Sequence, residues 1–213
     1  MTISIVSIAA RACDDVSVSF SITDGVNAQS ERLVISAAAV ADLRLCVGEC
    51  SEECFDSVLA AAQRHEATKR ALSLLSYGRH SPKALAGKLC GKGISRDVAV
   101  EVIRDLIARG YLNPRADAYA EANVGVSKGW GRVRISSALY EKGYSASAVH
   151  EALARLDADG VDYAAACASL ICRRFSEQPT DPKGRAKMYA SLSRYGYTTS
   201  DIREALSLLE DRS

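Results

Sequence analysis

A segment of seven residues that occurs three times is the feature that most constrains the fold. The copies are LCGKGIS at 89–95, LYEKGYS at 139–145 and LSRYGYT at 192–198. Each has a leucine, a glycine four positions later, one bulky apolar residue and then a hydroxyl residue. Glycine readily takes the left-handed conformation that ends a helix, and Ser or Thr caps the next one. The pattern therefore predicts helix, turn, helix in every copy.

The match between the copies continues downstream of the glycine. The glycines Gly93, Gly143 and Gly196 lie 50 and 53 residues apart. Ten and thirteen residues after each glycine stand apolar residues, which share one face of a helix because they are three apart. They are Ile103 and Leu106, Leu153 and Leu156, and Leu206 and Leu209. A unit this small has little core, so three such units are expected to stack side by side.

Other helix boundaries support the same organisation. Ser51 is a good N-cap for a helix that runs toward Leu75. Three capping residues precede a proline, which is tolerated at the first helical position: Ser81-Pro82, Asn113-Pro114 and Asp181-Pro182. Gly110 and Gly160 stand where further helices should end.

The first 35 residues follow a different period. Residues 16–22, VSVSFSI, alternate apolar and polar side chains, as half-buried strands do. Thr2–Ala9 and Glu31–Ile35 are predicted to be two further strands, and Asp24-Gly25 a tight turn. Because three short strands bury little by themselves, this sheet should lean on the helix that follows.

We therefore predict a mainly α protein with a small N-terminal antiparallel β/α module. The module spans 1–66, and three tandem three-helix, helix-turn-helix-like repeats span 67–112, 113–160 and 161–213, forming an elongated curved rod. Charge also divides the chain. Residues 1–66 hold four basic and ten acidic residues, while the remainder holds 23 basic and 16 acidic ones. The repeats therefore suit a polyanion or an acidic protein surface, or they merely carry a solvated basic face.

Nothing in the sequence predicts catalysis. We find neither a GxxxxGK[ST] phosphate loop nor a GxGxxG after a strand, and no catalytic constellation, so we expect a binding protein and not an enzyme. The three histidines, His65, His80 and His150, suit surface positions on helices. With no export signal or membrane-length apolar run, we expect a cytoplasmic protein without a membrane partner.

The spacing Cys46-x3-Cys50-x3-Cys54 could place three thiols on one helical face. Known zinc and iron–sulfur motifs, however, place two residues between neighbouring cysteines. We therefore interpret these three cysteines, and also Cys167 and Cys172, as small buried thiols. No metal and no cofactor is predicted.

The segment KGWGRVRI at 128–135 carries the only tryptophan among basic residues. Two roles fit Trp130, an anchor for a partner and a plug in the core between two repeats, and the sequence leaves both open. Arg132 and Arg134 correspond, 53 residues on, to Arg185 and Lys187. Cations repeated at equivalent places in stacked units would form a basic stripe.

In this register the chain resembles the RecX family of bacterial regulators of the RecA recombinase, over about residues 67–210. Three stretches carry the resemblance: Arg70-Ala71-Leu72 with Ser81, Gly110-Tyr111-Leu112 with Ala118-Tyr119-Ala120, and Gly129-Trp130-Gly131 through Ile135, Leu139 and Lys142-Gly143. The chain departs from the family pattern at Arg132, where proline is usual, and at Pro114, where an acidic residue is common. Residues 1–66 lie outside the common family core and are interpreted as an accessory module of some members.

The resemblance implies a monomer that binds in the helical groove of the RecA–single-stranded DNA filament, touching the DNA directly or through RecA. Such a protein restrains strand exchange, ATP hydrolysis and SOS co-protease activity, and so acts in DNA repair and homologous recombination. The expected contact residues are Lys128, Trp130, Arg132, Arg134, Lys142, Arg185 and Lys187. Lys83, Lys88 and Lys92 are weaker candidates. The alternative is a helix-turn-helix DNA-binding transcriptional regulator.

Overall fold

The computed structural model describes residues 2–24, 27–175 and 181–210. It confirms a mainly helical protein with a small N-terminal antiparallel sheet. The strands are β1 (Thr2–Ala10), β2 (Asp15–Thr23), β3 (Ala28–Ser36) and β4 (Gly48–Cys50), in the order β3-β2-β1-β4. The predicted turn at Asp24-Gly25 includes Gly25, which lies outside the described residues.

Apolar side chains from one face of this sheet pack on the helix that follows. The helices here are α1 (Ala37–Asp42) and α2 (Glu52–Tyr77). Phe20 of β2 is fully buried and meets Phe55 of α2 edge to face, with ring centroids 5.0 Å apart. Ile3, Ile5 and Ile35 join the same cluster. Strand β4 was not predicted, because three residues are too few to show alternation; it pairs with β1, Cys50 opposite Ile3.

The helix α2 begins as expected, since the Ser51 hydroxyl accepts a hydrogen bond from the Cys54 N–H at 3.2 Å. It continues through residue 66, so the predicted boundary of the N-terminal module falls inside a single helix. The chain divides into two compact units, one formed by Met1–Gly78 with Leu85–Leu112 and the other by Arg79–Ala84 with Asn113–Ser213. The repeat boundaries and the curved rod stay predictions.

Eight further helices follow α2 in the described residues. They are α3 (Pro82–Cys90), α4 (Arg96–Ala108), α5 (Pro114–Ser127), α6 (Arg132–Glu141), α7 (Ala146–Ala158), α8 (Tyr163–Arg174), α9 (Pro182–Arg194) and α10 (Thr199–Glu210). No helix within the described ranges is both long and apolar enough to span a membrane.

The three copies of the repeated segment fold alike. Gly93, Gly143 and Gly196 have φ of 86°, 85° and 89°. In each copy the residue after the glycine donates its N–H to the carbonyl of the leucine five positions earlier, at 3.1 to 3.3 Å. The core positions also correspond, because Leu89, Leu139 and Leu192 are all at least 98% buried. The predicted turns are therefore confirmed.

The start of a helix in one copy contacts the glycine turn of the next copy at two equivalent places. The start of α6 contacts the α9–α10 turn, and the residue before α3 contacts the α6–α7 turn. The N–H of Gly131 donates to the carbonyl of Tyr195 at 2.8 Å, and that of Val133 to Gly196 at 3.1 Å. Fifty residues earlier, the Ser81 hydroxyl donates to the carbonyl of Lys142 at 2.5 Å.

Candidate functional site

The glycines around Trp130 allow the backbone of the α5–α6 connection to lie close to that of the α9–α10 turn. Helix α5 ends at Ser127, and Gly129 takes a φ of 70° to reverse the chain. Gly131 is the N-cap of α6 and is buried. A Cβ at Gly131 would lie 2.3 Å from the backbone of Gly196, so no side chain is possible there. The α5–α6 connection is thereby held against the α9–α10 turn.

Trp130 is half-buried and packs against the apolar cluster formed by α5, α6 and α7. Gly125 makes room for it, since a Cβ there would lie 3.3 Å from the ring. Two cations lie over the same indole: Lys128 Nζ at 5.1 Å and the Arg134 guanidinium at 4.5 Å from the ring centroid. Trp130 therefore combines the two roles left open by the sequence, because it packs on the core and also supports cations.

The arrangement continues across the α9–α10 turn. The Arg134 guanidinium also lies 5.3 Å from the ring centroid of Tyr195, and Arg174, at the end of α8, lies 5.0 Å from that ring. Cations and aromatic rings thus alternate through Lys128, Trp130, Arg134, Tyr195 and Arg174, which we call the cation–aromatic cluster. Each cation–π contact contributes about 0.5–1 kcal/mol where the pair is exposed.

Two members of this cluster, Tyr195 and Arg174, were not predicted. Each stands beside a residue of the other kind in the sequence, as Arg194-Tyr195 and Arg174-Phe175, but only packing brings Tyr195 and Arg174 to Arg134. The adjacent Arg173 lies close as well, with its Nη2 3.6 Å from the position of a Cβ on Gly129.

The predicted cations between residues 128 and 142 fall into two groups. Arg132 forms an ion pair with Asp157, and Lys142 with Glu121, so carboxylates of the same molecule neutralise both charges. Within the described ranges, no carboxylate oxygen lies within 4.0 Å of the charged nitrogens of Lys128, Arg134 or Arg174. Of the predicted cations between residues 128 and 142, Lys128 and Arg134 therefore keep positive charge for a partner, and both belong to the cation–aromatic cluster.

The remaining two predicted residues lie on α9. Lys187 is exposed and precedes the buried Met188, as Arg134 precedes the buried Ile135. Arg185 is exposed and already interacts with other groups of the molecule. The spacing of equivalent residues is therefore kept, while a continuous basic stripe stays a prediction.

The cysteines and histidines differ in part from the sequence interpretation. Cys46 precedes β4, Cys50 ends β4 and Cys54 lies on α2, so the three thiols share no helical face. Cys46 is exposed and so is Cys172, whereas Cys167 is buried as expected. Burial and the neighbouring Cys54 thiol raise the pKa of Cys50 to about 11. No group of three metal-binding side chains occurs in the part of the chain that is described.

The prediction that His65 lies at the surface is wrong. Its side chain is only 12% exposed, and its Nε2 lies 2.7 Å from a carboxylate oxygen of Asp15. Lys69 Nζ donates to the other oxygen of the same carboxylate at 2.6 Å. The three side chains tie β2 to α2 because the carboxylate stands at the first residue of the strand.

Known proteins resemble this chain over shares of its length that range from 64% to 96%. No family model matches it. A protein named regulatory protein RecX from Xanthomonas axonopodis pv. citri (strain 306) is 35% identical over 145 residues, covering 67% of this chain and 88% of that protein. The protein of the same name from Stenotrophomonas maltophilia (strain K279a) is 29% identical over 138 residues, covering 64% and 83%.

Two solved structures share the fold. The crystal structure of a regulatory protein RecX has a TM-score of 0.75 at 20% identity, and the match covers 96% of this chain and 99% of that one. The crystal structure of RecX from Lactobacillus salivarius has a TM-score of 0.60 at 23% identity, covering 70% and 97%. Because the first match takes in nearly the whole chain, the fold of the N-terminal sheet occurs in that structure too.

Proposed function

Because this chain belongs to the family of regulatory proteins named RecX, we propose that it regulates the RecA recombinase, mainly as an inhibitor. It binds as a monomer in the cytoplasm to the RecA–single-stranded DNA filament, in the helical groove. Bound there, it blocks filament growth or favours disassembly. Strand exchange, ATP hydrolysis and SOS co-protease activity all require that filament, so all three are restrained.

One observation carries the choice of contact surface. The cation–aromatic cluster holds Lys128, Arg134 and Arg174 without a carboxylate partner in the described residues, whereas Arg132 and Lys142 are already paired. Guanidinium groups that rest on rings lose little conformational freedom on binding and keep their N–H donors for phosphate or carboxylate. An acidic protein surface or a DNA backbone would supply those anions.

The test measures ATP hydrolysis by the cognate RecA on single-stranded DNA as the full-length protein is added. Wild-type protein should inhibit, and a Lys128→Glu, Arg134→Glu variant should need about tenfold more protein, equivalent to about 1.4 kcal/mol of binding. The matched control is Arg96→Glu, Arg104→Glu, which makes the same charge change at exposed positions of α4. Far-ultraviolet circular dichroism checks that each variant is folded.

The two paired cations provide the comparison within the site. Arg132→Gln, Lys142→Gln should weaken inhibition less than the first variant, because Asp157 and Glu121 already satisfy those charges. An equal or larger loss would move the contact surface to the paired cations. Absence of any effect of wild-type protein on RecA would contradict the proposed function, and sequence-selective duplex binding would then favour the transcriptional regulator.

A further inference from the structure

The three glycine turns differ in what lies against them. A Cβ on Gly143 would lie 3.0 Å from Lys83 Cβ, and one on Gly196 would lie 2.4 Å from Arg134 Cβ. Each of these turns is therefore covered by the start of another helix. A Cβ on Gly93 would meet nothing within 4 Å. The α3–α4 turn of the first copy thus has the same backbone as the other two and is uncovered.

A cavity lies at this uncovered turn. Its volume is ≈ 360 Å³, and we call it the Gly93 pocket. The turn itself and the start of α4 supply one side of the lining, and α2 supplies the other. The lining residues are Gln63, Glu66, Arg70, Lys92, Gly93, Ile94, Ser95 and Val98.

The start of α9 resembles the segment that covers one of the other turns. Asp181-Pro182-Lys183 repeats the pattern of Ser81-Pro82-Lys83, whose serine bonds the Lys142 carbonyl and whose lysine stem lies on Gly143. Ser81 is 2% exposed in that contact. Residues 181–183 are all exposed. Within the described residues, the first copy therefore has a turn that no helix start covers, and the third has a helix start that covers no turn; Asp181 caps α9 there by accepting from the Gly184 N–H at 2.8 Å.

The hydrogen-bonding groups of the two surfaces are complementary. Ser81 can donate to a turn carbonyl, whereas the Asp181 carboxylate can only accept. At the Gly93 pocket the donor belongs to the turn side, because Arg70 Nη1 donates to the Lys92 carbonyl at 2.7 Å and its Nε donates to Glu66 at 2.6 Å. Glu66 neutralises the charge of Arg70, but the guanidinium has five N–H donors, so others remain for an incoming carboxylate, and the exposed Lys92 supplies a second cation to the pocket.

We propose that the Gly93 pocket of one molecule binds the start of α9, Asp181 to Lys183, of a second copy of this chain. Asp181 accepts from Arg70, and the Lys183 stem lies on Gly93 as that of Lys83 lies on Gly143. The contact joins two different surfaces, so it is head-to-tail and can continue from molecule to molecule.

A contact made by one helical turn is small, and small interfaces are weak. The free protein is therefore monomeric when dilute and associates only at high local concentration. Copies bound side by side on one filament would reach such concentrations, but the contact itself needs neither RecA nor DNA.

Sedimentation velocity of the full-length protein from about 10 μM to about 1 mM tests the proposal in a range suited to weak contacts. Wild-type protein should sediment faster as concentration rises, with species beyond the dimer. Gln63→Trp fills the pocket, and Lys183→Trp replaces the stem that must fit against Gly93; each variant alone should stay monomeric. Both positions are exposed, so folding should be retained. Arg203→Trp, exposed on α10, is the control for adding a surface indole and should associate like wild-type.

The decisive sample is an equimolar mixture of Gln63→Trp and Lys183→Trp. One intact pocket and one intact α9 start then remain per pair, so dimers should form and nothing larger. A wild-type protein that is monomeric at every concentration overturns the proposal, as does association of either single variant or a mixture that stays monomeric. Because RecA is absent from the experiment, its failure leaves the proposed function standing.

Discussion

At the scale of single residues, the charge that a side chain offers to a partner depends on its neighbours. Arg132 and Arg134 are two positions apart on α6, yet Asp157 neutralises the first while two aromatic rings support the second. Asp15 shows the same dependence in the sheet. Its hydrogen bonds with Lys69 and then His65 hold the pKa of the carboxyl below its ordinary value of 3.8.

Asp15→Asn is expected to lower the free energy of unfolding at neutral pH and to change its acid dependence. A carboxyl with a lowered pKa in the folded state stabilises above its unfolded pKa, and that contribution is lost as pH falls through the folded pKa. Without it, stability should decline less steeply below about pH 4. Urea unfolding at a series of pH values measures this. Asp42→Asn, at an exposed residue without a described ion pair, is the control. The prediction would be contradicted if the free energy of unfolding fell with pH equally steeply in wild-type and in Asp15→Asn.

At the scale of elements, a glycine in one of these turns can meet two separate requirements. It takes a positive φ, and it leaves space for a neighbouring segment. Every such turn needs a positive φ, which an L side chain adopts at a cost of about 1–2 kcal/mol. Gly196 must also leave room for Arg134, whose backbone nitrogen would lie 2.3 Å from a Cβ. Gly160 has a φ of 77° and open space around the position of its Cβ.

Gly160→Ala should therefore lose about 1–2 kcal/mol of stability through backbone strain alone. Gly196→Ala should lose about 1–3 kcal/mol more, because the turn and the start of α6 must move apart. Urea unfolding followed by the fluorescence of Trp130, the only tryptophan, compares the two variants directly. Equal losses would mean that the contact between the α9–α10 turn and α6 adds nothing to stability.

At the scale of the whole molecule, the two compact units each have their own apolar clusters. The sheet and α2 share one cluster, and α2 shares a second with α3 and α4. The other unit holds one cluster around α5 to α7 and one around α8 to α10. Because α2 takes part in two clusters, the N-terminal sheet cannot be removed near residue 66 without cutting a helix that the first repeat uses.

Phe20→Ala is expected to destabilise the protein by about 3–5 kcal/mol, the usual range for removing a fully buried phenylalanine. Hydrogen exchange should show the loss in the unit that contains β1–β4 and α2, while amides of α5 to α10 keep their protection. Val6→Ala, at a side chain 57% exposed, is the control and should change little. Uniform loss of protection across both units would contradict the prediction.

Features that depend on a few neighbouring residues could be predicted from the sequence alone. Alternation over seven residues indicated β2, capping residues indicated where α2, α5 and α9 begin, and glycines in equivalent places indicated the turns. These features follow from local backbone conformation, which the residues of each short segment set among themselves. For the same reason the register of the three copies, and with it the family resemblance, was visible in the sequence.

Contacts between distant residues, by contrast, became visible in the folded structure. It paired Arg132 with Asp157 and brought Arg174 and Tyr195 to Arg134; it also buried His65 against Asp15. Strand β4 exists because β1 offers it an edge, and Gly131 is required because Gly196 lies against it. Such contacts join residues 25 to 65 positions apart, as Arg132 and Asp157 are 25 apart and Gly131 and Gly196 are 65 apart. Their partners are chosen by how the helices pack, which no short segment encodes.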